Sequence, residues 1–142
     1  MLVAGQKSYT FHAGTDDLDA AVLLAARTGY CDGNDPRLHT TIDAIATELG
    51  AGEGLLYRYS GQAGKEGAFL ACSRWMVEAL AHAGRLDEAS GWMDTVVAHG
   101  NDLGLYTEEI DPVSKDLLGN MPQTLSQLAV IGAATAIGRA GR

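Results

Sequence analysis

The run "GAFLACSRWMVEALAHAG" (residues 67–84) most constrains what this chain can fold into. It reads as a helix from about Gly67 to Ala83, with Gly84 as its stop. Phe69, Leu70, Trp75, Met76 and Leu80 leave it apolar on most faces, so it belongs in an interior. The rest of the sequence supplies helices to cover it. Thr15 and Asp16 suit the cap of a first helix, carried by "DLDAAVLLAARTG" to Gly29. Asp35-Pro36 starts a second, with aspartate as cap and proline at the first helical position. Leu38, Ile42, Ile45 and Leu49 then recur at helical spacing, and Gly50 stops them. A fourth helix follows from about Leu86 to His99, carrying Trp92, Met93, Val96 and Val97. Pro122 opens a fifth through Leu125, Leu128 and Ile131 to about Ile137. "GLLYRYS" (54–60) suits a short strand, but no sheet-scale alternation appears. The expectation is an all-α fold of about five helices in one domain spanning residues 1–142.

The connections are unequal. The first two helices are joined around Asp32 to Asn34, and the third and fourth by Gly84-Arg85, so each pair forms an antiparallel hairpin. The segments before the first helix, at about 50–66 and at about 100–121, are long. Alternation of direction places all three long segments at one end of the helices and both short turns at the other. Long ordered loops gathered on one rim are where a site is expected.

That rim is rich in polar and aromatic side chains. The first segment brings Tyr9, His12, Asp16 and Asp17. The second brings Tyr57, Arg58, Tyr59, Lys65 and Glu66, and the third Asn101, Asp102, Tyr106, Glu108, Glu109 and Asp111. Rings stack on the apolar faces of pyranoses and forked donors hold vicinal hydroxyls, so the palette suits a sugar. Other chemistry is poorly provided for. His12, His39, His82 and His99 lack ligand spacing and no C-x-x-C occurs, so no metal is expected. Ser73 and Ser126 lack a nucleophile-elbow setting, and the glycines form no phosphate loop, so no cofactor is expected. "AHAGRLDEA" (81–89) resembles the turn of a helical repeat without a second copy. A net charge of −8 argues against nucleic acid and anionic membrane as partners. No apolar run is long enough to span a bilayer. Cys31 and Cys72 are too few for a disulfide framework, and with no secretory leader visible the expected location is cytoplasmic.

The blocks "DDLDAAVLL", "GLLYRY", "EGAFLACSRWMVEALAHAGRLDEA", "NDLGLYTEEIDP" and "LGNMPQTLSQLAVIGAA" follow one another in an order and spacing that resemble the C-terminal part of glycoside hydrolase family 15. That family includes glucoamylase-like and trehalase-like enzymes. The resemblance spans about residues 16–134. It implies part of an (α/α)6 toroid, six hairpins of inner and outer helices with the site on the rim entering the inner ones. It implies that Glu108, in Thr107-Glu108-Glu109, is the counterpart of the general base, and that Arg58 and Tyr59 match the Arg-Tyr pair that grips the terminal glucose. Glu66, Glu109 and Tyr106 join them as substrate contacts. The aspartate that follows that pair in fungal relatives is replaced here by Ser60-Gly61-Gln62. The family's general acid comes from an earlier inner-helix loop with a Trp-Glu type of motif, which Trp75 and Trp92 do not provide.

Three functions stay open at this point. The chain is a part of an inverting α-glucoside hydrolase that is inactive alone, a non-catalytic sugar-binding or scaffold protein, or an enzyme completed by a chain that supplies the acid. An arc of the toroid leaves the flanks of the first and fifth helices uncovered. Leu18, Ala21, Val22, Leu24 and Ala25 on one, and Leu125, Leu128, Ala129, Ile131 and Ala136 on the other, make a homodimer or the missing N-terminal part of the ring the expected partner.

Overall fold

The computed structural model describes residues 8–142. Four α-helices carry the fold: α1 (Pro36–Glu48), α2 (Leu70–His82), α3 (Leu86–Val97) and α4 (Thr124–Ala140). Five short strands sit between them: β1 (Gly50–Gly52), β2 (Leu55–Leu56), β3 (Ala68–Phe69), β4 (Glu109–Ile110) and β5 (Leu117–Leu118). β1 and β2 form a hairpin, and β3-β4-β5 form an antiparallel ribbon. The architecture is mostly helical, as the cap-and-stop pattern indicates.

α2 is the axis of the molecule. It packs most extensively on α4, then on α3 and on a short 3-10 helix at Ala20–Leu24. Met76, Val77 and Leu80 of α2 share one buried cluster with Leu38, Ile42 and Ile45 of α1, and all six are essentially inaccessible. Ala129, Ala133 and Ala136 give α4 a small-residue stripe against α2, which lets the two backbones approach closely.

The first expected helix is different from its reading. Residues 20–24 form a 3-10 helix and the chain continues through turns to Gly29, which adopts φ +74°. The cap is Asp19, whose side chain accepts from the Ala21 N–H, rather than Thr15 or Asp16. The cause lies across the rim. Ala20 N–H donates to the Arg58 carbonyl at 2.8 Å, Ser60 N–H to the Leu18 carbonyl at 3.0 Å, and Leu18 N–H to Ser60 Oγ at 2.8 Å. Backbone groups that an α-helix would use internally are spent on the neighbouring loop. The third and fifth helices begin later than expected, at Leu70 and Thr124. Residues 68–69 are instead drawn into the ribbon, and the Met121–Pro122 peptide is cis and precedes the helix.

Asp35 does cap α1. Its Oδ1 accepts from the Arg37 N–H at 2.9 Å, and Oδ2 accepts from the Tyr9 hydroxyl at 2.8 Å. These donors, the Arg37 N–H first, hold the carboxyl below the usual aspartate range. A depressed folded pKa adds stability that is full above the unfolded value and is lost as pH falls through the folded one. Asp35→Asn is therefore expected to melt below the wild type at neutral pH. The gap should close as pH falls below about 4, as followed by thermal melts across an acid series.

Candidate functional site

All three long segments meet at the N-terminal ends of α2 and α4, and backbone bonds weave them together. The first is tied to the second by the bonds at Leu18, Ala20 and Ser60 given above. The second is tied to the third where Ala68 pairs with Ile110 and Phe69 with Glu109. Leu70 N–H, at the start of α2, donates to the Glu108 carbonyl at 3.0 Å. Residues some forty positions apart in sequence are thereby fixed side by side.

Arg58 and Glu66 form a forked pair, Nε to Oε1 at 2.8 Å and Nη2 to Oε2 at 2.5 Å. The Glu66 carboxylate pushes the Arg58 guanidinium pKa above its already high value. The guanidinium also lies 5.5 Å from the Tyr59 ring centre and 5.4 Å from that of Phe69, within cation–π range. Next to this pair, Gly67 N–H donates to Glu109 Oε2 at 3.1 Å. A Cβ at Gly67 would sit 3.0 Å from Leu118 and 3.1 Å from Glu109, so glycine lets the strand close on the carboxylate. Burial raises the Glu109 pKa, and the nearby charges of Glu66 and Glu108 add to this, while the Gly67 N–H and Arg58 oppose it.

Glu108 is held from the other side. Its Oε2 accepts both the backbone N–H and the side-chain amide of Asn120, each at 3.0 Å. Its own N–H donates to the Asn120 carbonyl at 2.9 Å. Thr107 is fixed through its hydroxyl, which donates to the Leu118 carbonyl at 2.8 Å, and through its carbonyl, which accepts from Ser126 Oγ at 2.8 Å.

Two cavities flank the ion pair. One, about 210 Å3, is lined by Phe11, Asp19, Arg58, Tyr59, Phe69 and Trp75. The other, about 240 Å3, has Tyr57, Lys65, Glu66, Asp111 and Leu118 in its walls. Arg58 lines the first and Glu66 the second. A roomier cavity of about 500 Å3, walled by Glu78, His82, Thr135 and Arg139, lies at the far ends of α2 and α4. It contains no Phe, Tyr or Trp, so it lacks the stacking surface that the rim cavities have. Among the described residues no three His, Cys, Asp or Glu gather as metal ligands, and no helix is long and apolar enough to cross a membrane.

Of the expected site residues, Arg58, Tyr59, Glu66, Glu108 and Glu109 come together at this rim. Tyr106 is placed differently: it is 7% exposed, with its ring beneath the loop against Arg74. Hydrophobic alternation with only one ring ahead of an acidic pair left that direction open. Four residues escaped the sequence reading. Asn120 holds Glu108, Phe11 and Asp19 line a cavity, and Gly119 leaves room for the Glu108 carboxylate. The "LGNMP" turn was the available signal for two of them.

The comparisons with known proteins follow this geometry. No protein-family model matches the chain. A trehalase of Mycolicibacterium smegmatis is 41% identical over 133 residues, which is 89% of this chain and 20% of that protein. A trehalase of Mycobacterium tuberculosis is 38% identical over 138 residues, 93% of this chain and again 20% of the relative. The chain is a relative of the trehalases. It spans about one fifth of the length of these trehalase relatives. A solved wild-type glycosidase superposes with a TM-score of 0.81 at 17% identity, over 94% of this chain and 39% of that one. A glycosidase variant in complex with glucose gives the same score at 16% identity. At that identity the likeness speaks for the fold, and it fits part of a larger helical glycosidase scaffold. A Thermoplasma volcanium trehalase, 39% identical over 127 residues, extends the trehalase relationship to an archaeal protein.

Proposed function

We propose that this rim is the general-base half of an inverting α-glucoside hydrolase site of the family 15 type, with trehalose or a related α-glucoside as the ligand. The observation that carries the reading is the woven network that brings Arg58, Glu66, Glu109 and Glu108 to one end of α2. In this reading Arg58 and Tyr59 grip a glucose ring in the aromatic cavity, with Glu66 holding the guanidinium in its fork. Glu108 is the base. Asn120 occupies its Oε2 with two N–H donors, which leaves Oε1 to take a proton from water. Glu109 stays behind it, bound to the Gly67 N–H.

Inversion needs a second carboxyl roughly 6.5–9.5 Å from the base, across the scissile bond, to protonate the leaving oxygen. Glu66 is committed to Arg58 and Glu109 to the Gly67 N–H, so neither is placed in this reading as that acid. The acid therefore belongs to a part of the toroid beyond this segment. The isolated chain is expected to release no glucose from trehalose, maltose or starch above a blank. Sustained release by pure protein that Glu108→Gln abolishes would overturn this. Trehalose or maltose binding, measured by calorimetry and lost in Arg58→Ala, is the direct test of the sugar reading. Full retention of binding in that variant would refute it.

The same reading gives the open flanks a role. Leu125, Leu128 and Ile131 of α4 are 42%, 59% and 61% exposed and form one stripe. On the opposite flank Ala21, Val22, Leu24 and Ala25 line an apolar groove with Tyr9 and Tyr30. Leu18, Ala129 and Ala136, expected on these faces, point inward and are buried. A second copy or the remaining arc of the ring covers such faces, at roughly 25 cal/mol per Å2 before the costs of association. Sedimentation of the purified chain at micromolar concentration is expected to show a dimer that Leu128→Lys converts to monomer. A wild-type monomer would remove this part of the proposal.

A further inference from the structure

Arg74 is fully inaccessible, in the middle of α2, and takes part in none of the ion pairs among the described residues. A buried cation without a carboxylate is costly to hold, so its surroundings must compensate it. They do so with carbonyls and a ring. Nη1 donates to the Leu70 carbonyl at 2.7 Å, and Nη2 reaches the Val96 carbonyl at 3.4 Å. Val96 lies in the last turn of α3, where the partial negative charge of the helix end gathers. The guanidinium then lies 4.1 Å from the centre of the Tyr106 ring. Nε has no partner, as befits a fork committed on its other edge. Burial pulls the pKa down to about 10, which leaves the group cationic at neutral pH.

Tyr106 is the residue from which the acidic loop departs. Its own N–H donates to Gln127 Oε1 at 3.1 Å, its carbonyl accepts from the Gln123 N–H at 2.9 Å, and its hydroxyl donates to the Val97 carbonyl at 3.4 Å. Gly100 packs on the ring so closely that a Cβ there would lie 3.0 Å from it. The ring is thus clamped between Gly100 and Arg74, and the loop it begins reaches Glu108 two residues later. Arg74 also holds the Leu70 carbonyl, while the Leu70 N–H holds the Glu108 carbonyl. One buried side chain therefore reaches the loop at both ends, through the ring and through the first turn of α2.

We propose that Arg74 is a positioning residue for residues 106–109: a buried, carboxylate-free cation whose fork and stack set where Glu108 and Glu109 stand. The importance of that loop rests on the reading given under the proposed function, but the device itself is testable without any sugar. Amide exchange on the 142-residue chain, followed residue by residue, is the measurement. In Arg74→Met the Leu70 and Glu108 amides are expected to exchange roughly tenfold faster or more, the size of a desolvated cation–π contact. The Ile42 and Ile45 amides of α1 should not change. The Glu109 carboxyl should titrate closer to an ordinary glutamate as its strand pairing loosens. Arg74→Lys keeps the charge and loses the planar fork, and it should follow the methionine variant. Unchanged exchange at Leu70 and Glu108, wild-type behaviour in Arg74→Lys, or equal acceleration at Ile42 and Ile45 would each overturn the proposal. If Arg74→Met does not fold, Tyr106→Leu carries the same test from the other side of the stack, with the same outcomes deciding. Absence of sugar binding by the wild type would count against the proposed function and leave this result standing.

Discussion

Gly119→Ala is expected to dislodge Glu108 from its place at the rim, while leaving the helices in place. Gly119 has φ +72°, a conformation that costs an alanine roughly 1–2 kcal/mol. Its new Cβ would also lie 2.6 Å from Glu108 Oε2 and 2.9 Å from Glu108 Cβ. The carboxylate can swing away only by releasing both N–H groups of Asn120. The backbone of Glu108 cannot retreat easily, since Leu70 and Asn120 hold it on both sides. The total loss should be about 2–3 kcal/mol, from the strained residue and the broken hydrogen bonds. A double-mutant cycle with Glu108→Ala checks the mechanism. Removing the carboxylate relieves part of the clash, so the pair should be less damaging than the sum of the singles. Strict additivity would show that the cost is backbone strain alone.

Met76→Ala attacks the molecule at the other extreme, in the axis helix. Met76 is fully buried in the cluster shared by α1, α2 and the 3-10 helix. Truncation removes most of a large side chain where neighbours are held on several sides, so the space left behind collapses only partly. The expected loss is about 2–5 kcal/mol, read from urea unfolding. A domain of this size has a stability of roughly 5–15 kcal/mol, so this one change removes a large share of it. A loss near zero would mean that the core repacks as a fluid, against the close packing implied by the inaccessible residues around it.

The two changes also mark what the sequence made legible. α1 was readable to within a residue or two because its signals are local: Asp35 caps it, Pro36 starts it, and Leu38, Ile42 and Ile45 repeat along it. α2 and α3 were plain as elements between their glycines, although α2 starts three residues later than its pattern suggested. The 3-10 helix was misread because its deciding bonds run to Arg58 and Ser60, some forty residues away, and local pattern carries no trace of them. The strand ribbon escaped for the same reason: two-residue strands have no period to detect. At the rim, Arg58, Glu66, Glu108 and Glu109 were named from loop asymmetry and the family resemblance, and the fold gathers them at one end of α2. Tyr106 went the other way because its ring answers to Arg74, a charged residue inside an apolar helix whose partner is a ring rather than an acid. Asn120 was passed over because amides in turns are common and only the fold shows which carboxylate one of them faces.

The weave at the rim has a consequence for the order in which the molecule assembles. The hairpin of α2 and α3 closes over a three-residue connection, a contact reached early by a collapsing chain. The pairing of Ala68 with Ile110, and of Asp19 with Tyr59, must wait until distant segments have been carried together by the helices that bear them. The helical scaffold is therefore a template, and the rim is the last layer laid on it. In reverse, the rim is the first layer to lift under stress. Brief exposure to mild denaturant should open the segment around residues 106–120 to proteases before α2 yields, so the rim comes apart while the molecule still looks folded.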